Sequence, residues 1–252
     1  MCLVTLAFQH HPRYPLIVVA NRDEFYDRPT QPAEFWADSP SILAGRDLDA
    51  GGTWFGVDRR GNWATVTNTR GGGYYADKSR GGLPTGFLLS EADSQNYFDE
   101  VLEEGGLYSG FNLLAGSAHE LLYCTNARGG TQHLNPGIYT LSNDALDTPW
   151  PKSELARARL GASIEDDVLD SEGLLAVLGS RQTFADHLLP DTGLGIDMER
   201  SLSSPFIVGP SYGTRCTTVL LIDNQGKVEF AEQNFVKGKP LGKLRQYRFC
   251  VD

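Results

Sequence analysis

Apolar residues along this chain fall mostly in short runs at strand spacing, broken by glycine, proline and polar clusters. "CLVTLAF" (2–8) and "LIVVA" (16–20) flank the turn-like "QHHPRYP", which predicts a β-hairpin from the first residues. The second arm runs straight into Asn21, Arg22, Asp23 and Glu24, so an apolar strand delivers three ionisable side chains at its end. Residues 27–52 read as an irregular, proline-containing stretch. "TWFGVDRRGNWATVTN" (53–68) predicts a second hairpin turning at Gly61-Asn62, and 69–82 a flexible glycine-rich loop. Two short helices follow, Leu83–Glu91 and Ser94–Glu104, the second capped by Asp93 and stopped by Gly105-Gly106.

Strand patterns resume with "FNLLAG", "ELLYCTN" and "GIYTLSN". Pro149 and Pro151 lead an Ala/Leu/Arg-rich run that predicts a helix over 149–163, and a further helical region is expected between Ser171 and Leu189. Residues 215–235 form a third hairpin pattern and "LRQYRFCVD" a terminal strand. Hairpins imply antiparallel pairing, so the order of elements predicts an α+β layered fold in a single domain over 1–252.

Composition narrows the function classes. Lys plus Arg is 22 against 32 for Asp plus Glu, a net charge of -10, with no basic run. Such a chain repels nucleic acid and anionic membrane surfaces. No apolar segment approaches the roughly 18 residues that span a bilayer, and no secretory leader pattern opens the sequence. Cys2, Cys124, Cys216 and Cys250 have no C-x-x-C spacing, and His10, His11, His119, His133 and His187 form no zinc motif. No metal site is expected, and a reducing cytoplasm is the expected location.

The candidate chemistry begins at Cys2. Removal of Met1 leaves a free α-amine of pKa about 7.7–8.0 beside a thiol of about 8.5, a base and a nucleophile in one residue. The competing reading is a small apolar residue opening a strand. Asn68 and Asn143 end predicted strands, where an amide caps a turn or donates to a developing oxyanion. Arg215 opens another strand, placed to bind an anion through two parallel hydrogen bonds.

The stretches "MCLV", "VVANRDEFYDRP", "GGTWFGV", "TNTR", "YSGFNLLAG", "GIYTLSNDALDTPWPK" and "YGTRCTTVLLID" resemble the NRDE family, whose animal members are called transport and Golgi organisation proteins. The resemblance runs from Met1 to roughly Phe235 and leaves 163–205 without a motif. It implies the four-layer αββα sandwich of the N-terminal-nucleophile (Ntn) hydrolases, with two mainly antiparallel sheets. By the looser likeness to cysteine amidases such as penicillin V and bile-salt acylases, Cys2 matches the nucleophile and residues 21–24 match a polar cluster at the end of the second strand. Asn68 and Asn143 match asparagines near the oxyanion site. Which of Arg22, Asp23 and Glu24 meets the cysteine amine is open at this register, and a turn network stabilising only the strand end competes with the site reading.

Two functions follow. The first is hydrolysis or acyl transfer at an amide or thioester, with Cys2, Arg22, Asp23, Glu24, Asn68 and Asn143 as catalytic residues and no cofactor required. Asn21, Trp54, Arg70 and Arg215 are then the expected substrate contacts. The second, implied by the family's association with haem trafficking and with acyl-coenzyme A or lipid metabolism, is a carrier of such a small-molecule ligand, with the aromatics and Arg22, Arg70 and Arg215 as contacts and His10, His11 and the cysteines as generic iron ligands.

Overall fold

The computed structural model describes residues 2–70, 76–165 and 169–252. Its first half comprises β1 (Cys2–Phe8), β2 (Leu16–Phe25), β3 (Thr30–Phe35), β4 (Ile42–Asp47), β5 (Phe55–Asp58), β6 (Trp63–Asn68), α1 (Gly82–Leu89) and α2 (Ser94–Glu103). There follow β7 (Phe111–Gly116), β8 (Leu121–Thr125), β9 (Thr131–His133), β10 (Gly137–Leu141), α3 (Pro151–Ile164), α4 (Ser171–Leu174) and α5 (Ile196–Ser201). The chain closes with β11 (Tyr212–Ile222), β12 (Lys227–Val236) and β13 (Lys239–Cys250).

Two antiparallel sheets result. The first has the order β10-β1-β2-β11-β12-β13; the second is a sequential meander from β3 to β9. Alternate residues of a strand face opposite sides. Val4, Leu6, Leu16, Val18, Leu220 and Phe230 therefore meet Leu43, Phe55, Val57, Trp63 and Leu114 of the second sheet in a core between the sheets. The remaining apolar residues of the first sheet, including Ile17, Val19 and Val219, pack on Ala156 and Leu160 of α3 and Leu174 of α4. Those of the second, including Ile42, Ala64 and Leu113, pack on Leu83, Phe87, Phe98 and Val101 of α1 and α2. The layers are αββα, as the resemblance implies. Central strands covered on both faces lose the alternation of a half-exposed sheet, which is why "LIVVA" reads as an unbroken apolar run.

Three readings need correction. Strand β2 continues through the charged cluster to Phe25, because β11 pairs with it as far as Tyr212 opposite Phe25. The stretch 27–52 contains β3 and β4: "TQPAEF" is a half-buried edge strand holding Pro32, which hides its pattern. The region 171–189 holds only the single turn of α4 and a 3₁₀ turn at Asp186–Leu188, while α5 lies beyond it. Beyond α4 the chain runs in turns to Leu178, and the Phe206 N–H donates to the Ser180 carbonyl. The loop expected over 69–82 is described only outside 71–75; the removal of Met1 likewise lies outside the described residues.

Phe55 sits at the centre of the inter-sheet core, its ring centroid 5.8 Å from Trp63 and 6.2 Å from Phe230. Phe55→Ala is expected to destabilise the fold by about 3–5 kcal/mol, read as a lower urea midpoint at an unchanged slope.

Candidate active site

Antiparallel pairing sets Cys2 opposite Arg22, and Arg22 opposite Cys216, at one end of the first sheet. Arg22 shares the inner face with Ala20 and Val18 and so points between the sheets. Its Nη2 donates to Asp47 Oδ2 at 2.8 Å, its Nη1 donates to Thr30 Oγ1 at 2.8 Å, and its guanidinium lies 4.2 Å from the Trp54 ring centroid. Asp47 also accepts from Arg28 Nε at 2.6 Å and from the Ala50 N–H at 3.0 Å. Burial pushes the Asp47 carboxyl up, but these donors and the two cations outweigh it and hold the group below the usual range. Trp54 fits here because residue 45 is glycine: a Cβ there would lie 2.3 Å from the indole ring.

Asp23 takes the other face. Its Oδ1 accepts from Thr214 Oγ1 at 2.7 Å and its carbonyl from the Tyr212 hydroxyl at 2.8 Å. Burial pushes the Asp23 carboxyl up to about 6, against the positive chain terminus, the Thr214 hydrogen bond and the charge of Lys152. Lys152 lies in the first turn of α3, enclosed, with Nζ donating to the Leu202 carbonyl at 3.2 Å and 5.5 Å from the Trp150 ring centroid. Its own burial lowers it to about 8, while Asp23 pulls the other way. The Cys2 thiol is raised chiefly by burial; the Asp23 carboxylate adds to this, while the chain terminus, Arg22 and the Asp23 backbone N–H oppose it.

Cys2, Arg22, Asp23, Glu24, Trp54 and Asn68 all line one cleft of about 220 Å³. A second, larger cavity of about 960 Å³ adjoins it, with Phe25, Leu194, Met198, Leu202, Phe206 and Ile207 among its walls. Glu24, Asn68, Arg80 and Ser109 line both, forming a shared rim. Asn143 lines the larger cavity and is nearly inaccessible; its Nδ2 donates to the Asn68 carbonyl at 2.9 Å. Its neighbour Ser142 donates through Oγ to the Cys2 carbonyl at 3.2 Å.

Two expected contacts stand elsewhere. Asn21 is buried behind the sheet, its Nδ2 donating to the carbonyls of Leu178 at 3.1 Å and Pro205 at 2.9 Å. Arg215 occupies a bulge where the β2–β11 register shifts between Thr214 and Cys216, and lines neither cavity. It donates to the carbonyls of Phe25 at 2.5 Å and Arg28 at 3.1 Å, fastening the end of the charged strand. Arg70 reaches the larger cavity but is engaged with Glu199 in a buried ion pair and lies 4.7 Å from the Trp150 ring centroid.

The model of the family described as Transport and Golgi organisation 2 matches residues 1–237. The chain belongs to the Transport and Golgi organisation 2 family. The human Transport and Golgi organization protein 2 homolog is 34% identical, with 100% of this chain and 99% of that protein covered. The bovine homolog is 37% identical over 95% of each. Among solved structures, the Caenorhabditis elegans N-acylethanolamine-hydrolyzing acid amidase ortholog is similar at a TM-score of 0.53 and 12% identity, over 87% of this chain and 92% of that one. The C2A mutant of conjugated bile acid hydrolase from Clostridium perfringens gives 0.52 at 11% identity, over 98% and 97%. At that identity the likeness carries the fold alone, which is that of the Ntn hydrolases.

In this Transport and Golgi organisation 2 chain several cleft residues escape a sequence reading. Asp47 ends a strand hidden in the stretch taken as irregular, and Arg80 sits among loop glycines. Lys152 closes the family stretch "PWPK", a helix start whose lysine reads as a solvated first-turn residue until the fold encloses it. Among the described residues, no cluster of three His, Cys, Asp or Glu could hold a metal and no helix is long and apolar enough to cross a membrane. Lys152→Met is expected to move the Asp23 carboxyl above about 6, since a cation that favours its ionised form is lost. The check is an NMR titration of carboxyl carbons, with Asp23→Asn identifying the signal.

Proposed function

We propose that this chain is an N-terminal cysteine hydrolase or acyltransferase acting on an amide or thioester with a long apolar acyl chain. The observation that supports it is the shared rim: the cleft lined by Cys2 opens at Asn68 into an apolar cavity of about 960 Å³. An acyl chain in that cavity presents its carbonyl at the rim, facing the thiol. Once Met1 is removed, the Cys2 amine takes the thiol proton as sulfur bonds to the carbonyl carbon. The oxyanion receives hydrogen bonds from the amides of Asn68 and Asn143. As the carbonyl re-forms, the C–N or C–S bond breaks and the leaving group takes the proton from the ammonium. Water then gives a proton to the amine and attacks the thioester, releasing a carboxylic acid and the thiol; another nucleophile in place of water gives acyl transfer.

Asp23 orients the ammonium, a role that needs its carboxylate ionised. Arg22, pinned by Asp47 and stacked on Trp54, holds the inner wall of the cleft. Glu24 contributes a carboxylate to the rim and accepts from the Phe25 N–H at 2.8 Å.

The volume of the larger cavity also favours a second reading, in which the chain carries an amphiphile such as an acyl-coenzyme A or haem without reacting with it. His10 and His11 lie in the β1–β2 turn, at the other end of the hairpin from Cys2 and outside both cavities, so a haem there takes no ligand from them.

Intact-mass analysis of chain exposed to a decanoyl thioester separates the readings. The expected result is loss of Met1 and one added decanoyl group on the N-terminal peptide, absent in Cys2→Ala. Asp23→Asn is expected to slow acylation by at least about tenfold per folded molecule, the folded fraction read from a melting curve because Lys152 loses its carboxylate. Retained Met1 in a turning-over sample, or equal turnover in Cys2→Ala, overturns the mechanism; saturable binding without acylation favours the carrier.

A further inference from the structure

Four cations line the cleft: Arg22, Arg28, Lys78 and Arg80. Among the described residues three of them have a carboxylate partner. Arg22 and Arg28 share Asp47, and Lys78 pairs with Glu104 at 2.6 Å. Arg80 has none. Its Nη1 donates to the Gly110 carbonyl at 3.1 Å, which leaves most of a five-donor guanidinium unspent. It stands on the rim common to cleft and cavity, half-buried, in the field of Glu24 but in no contact ion pair with it. Glu24 shares the rim.

The position of Arg80 is built by the fold. Its neighbour Gly81 lies against Gly52, where a Cβ would fall 2.3 Å from the Gly81 carbonyl oxygen, and the Thr53 N–H donates to that oxygen at 3.2 Å. The start of α1 is thereby tied to the loop between β4 and β5, and Arg80 is held at the rim. Arg70, one of the arginines singled out from sequence, is already matched by Glu199.

We propose that the cleft accepts an oxyanionic head, of the phosphate monoester class, and that Arg80 is the residue that selects it. The ligand is then an anionic amphiphile, its apolar chain in the larger cavity and its head in the cleft. A guanidinium meets such a head with two parallel hydrogen bonds, and in a chain of net charge -10 this local cation overrides an otherwise repulsive field. The inference rests on the proposed placing of an acyl chain in the larger cavity, and needs no reaction at Cys2.

The test compares decyl phosphate, decanol and inorganic phosphate by calorimetric titration of the whole chain, in wild type, Arg80→Gln, Arg80→Lys and Lys227→Gln. Lys227 is an exposed residue that lines neither cavity and removes the same charge. Decyl phosphate is expected to bind wild type about tenfold or more tighter than decanol, a preference lost in Arg80→Gln, reduced in Arg80→Lys, which keeps the charge without the fork, and kept within about threefold in Lys227→Gln. Melting curves accompany each variant, and Arg80→Lys decides the outcome if Arg80→Gln does not fold. Equal binding of decyl phosphate and decanol by wild type overturns the proposal, as does an unchanged preference in Arg80→Gln or in Arg80→Lys. Inorganic phosphate binding as tightly as decyl phosphate overturns the amphiphile. The same preference measured in Cys2→Ala separates this result from any failure of acylation: a chain without the thiol that still discriminates through Arg80 keeps the head site while the hydrolase reading falls.

Discussion

Arg22 and Asp23 are consecutive in a strand covered on both faces, so their side chains enter different layers and each must be matched where it arrives. A buried charge stripped of its partner costs about 3–5 kcal/mol, a large share of a domain's stability. Arg22 is matched across the inter-sheet space by Asp47 at the end of β4, which fixes how the two sheets meet at this end. Asp23 is matched by the Thr214 hydroxyl and by the field of Lys152 at the start of α3, which fixes a helix on the outer face. Indole stacking on Arg22, the glycine at 45 and the bulge at Arg215 all serve those two placements.

The same arrangement leaves the end of the sheet unusually polar beside an unusually apolar space. The cavity wall contributed by Leu194, Met198 and Leu202 comes from a segment with little regular structure of its own. It is held to the body by the buried Arg70–Glu199 pair and by the Lys152 bond to the Leu202 carbonyl. Asn143 is hydrogen-bonded to Asn68, and the Arg70 N–H donates to the Asn143 carbonyl at 2.9 Å. The rim and the cavity wall are thus one connected polar network, so a ligand that moved the wall would be felt at the asparagines.

Much of this was legible along the chain. Period-two patterning and hairpin turns determined that the protein is built from antiparallel strands, and the prolines and apolar spacing located α3. Cys2, the charged residues Arg22, Asp23 and Glu24 and the two asparagines marked one end of several strands, and those residues do line two adjoining spaces. Strand ends are set by local pattern, and pairing register then brings them together. What the pattern left undecided was which side of the sheet each polar residue serves. Asn21 and Arg215 carry the same kind of side chains as Asn143 and Arg22, yet they hold backbone carbonyls away from the cleft. Only the tertiary structure decided that Arg80, an arginine among loop glycines, makes no contact ion pair among the described residues while Arg70 is matched, and that Lys152 is enclosed beside Asp23. The physical reason is that hydrophobic period and turn chemistry are local, whereas compensation of a buried charge depends on which distant residue packing brings within a few ångströms.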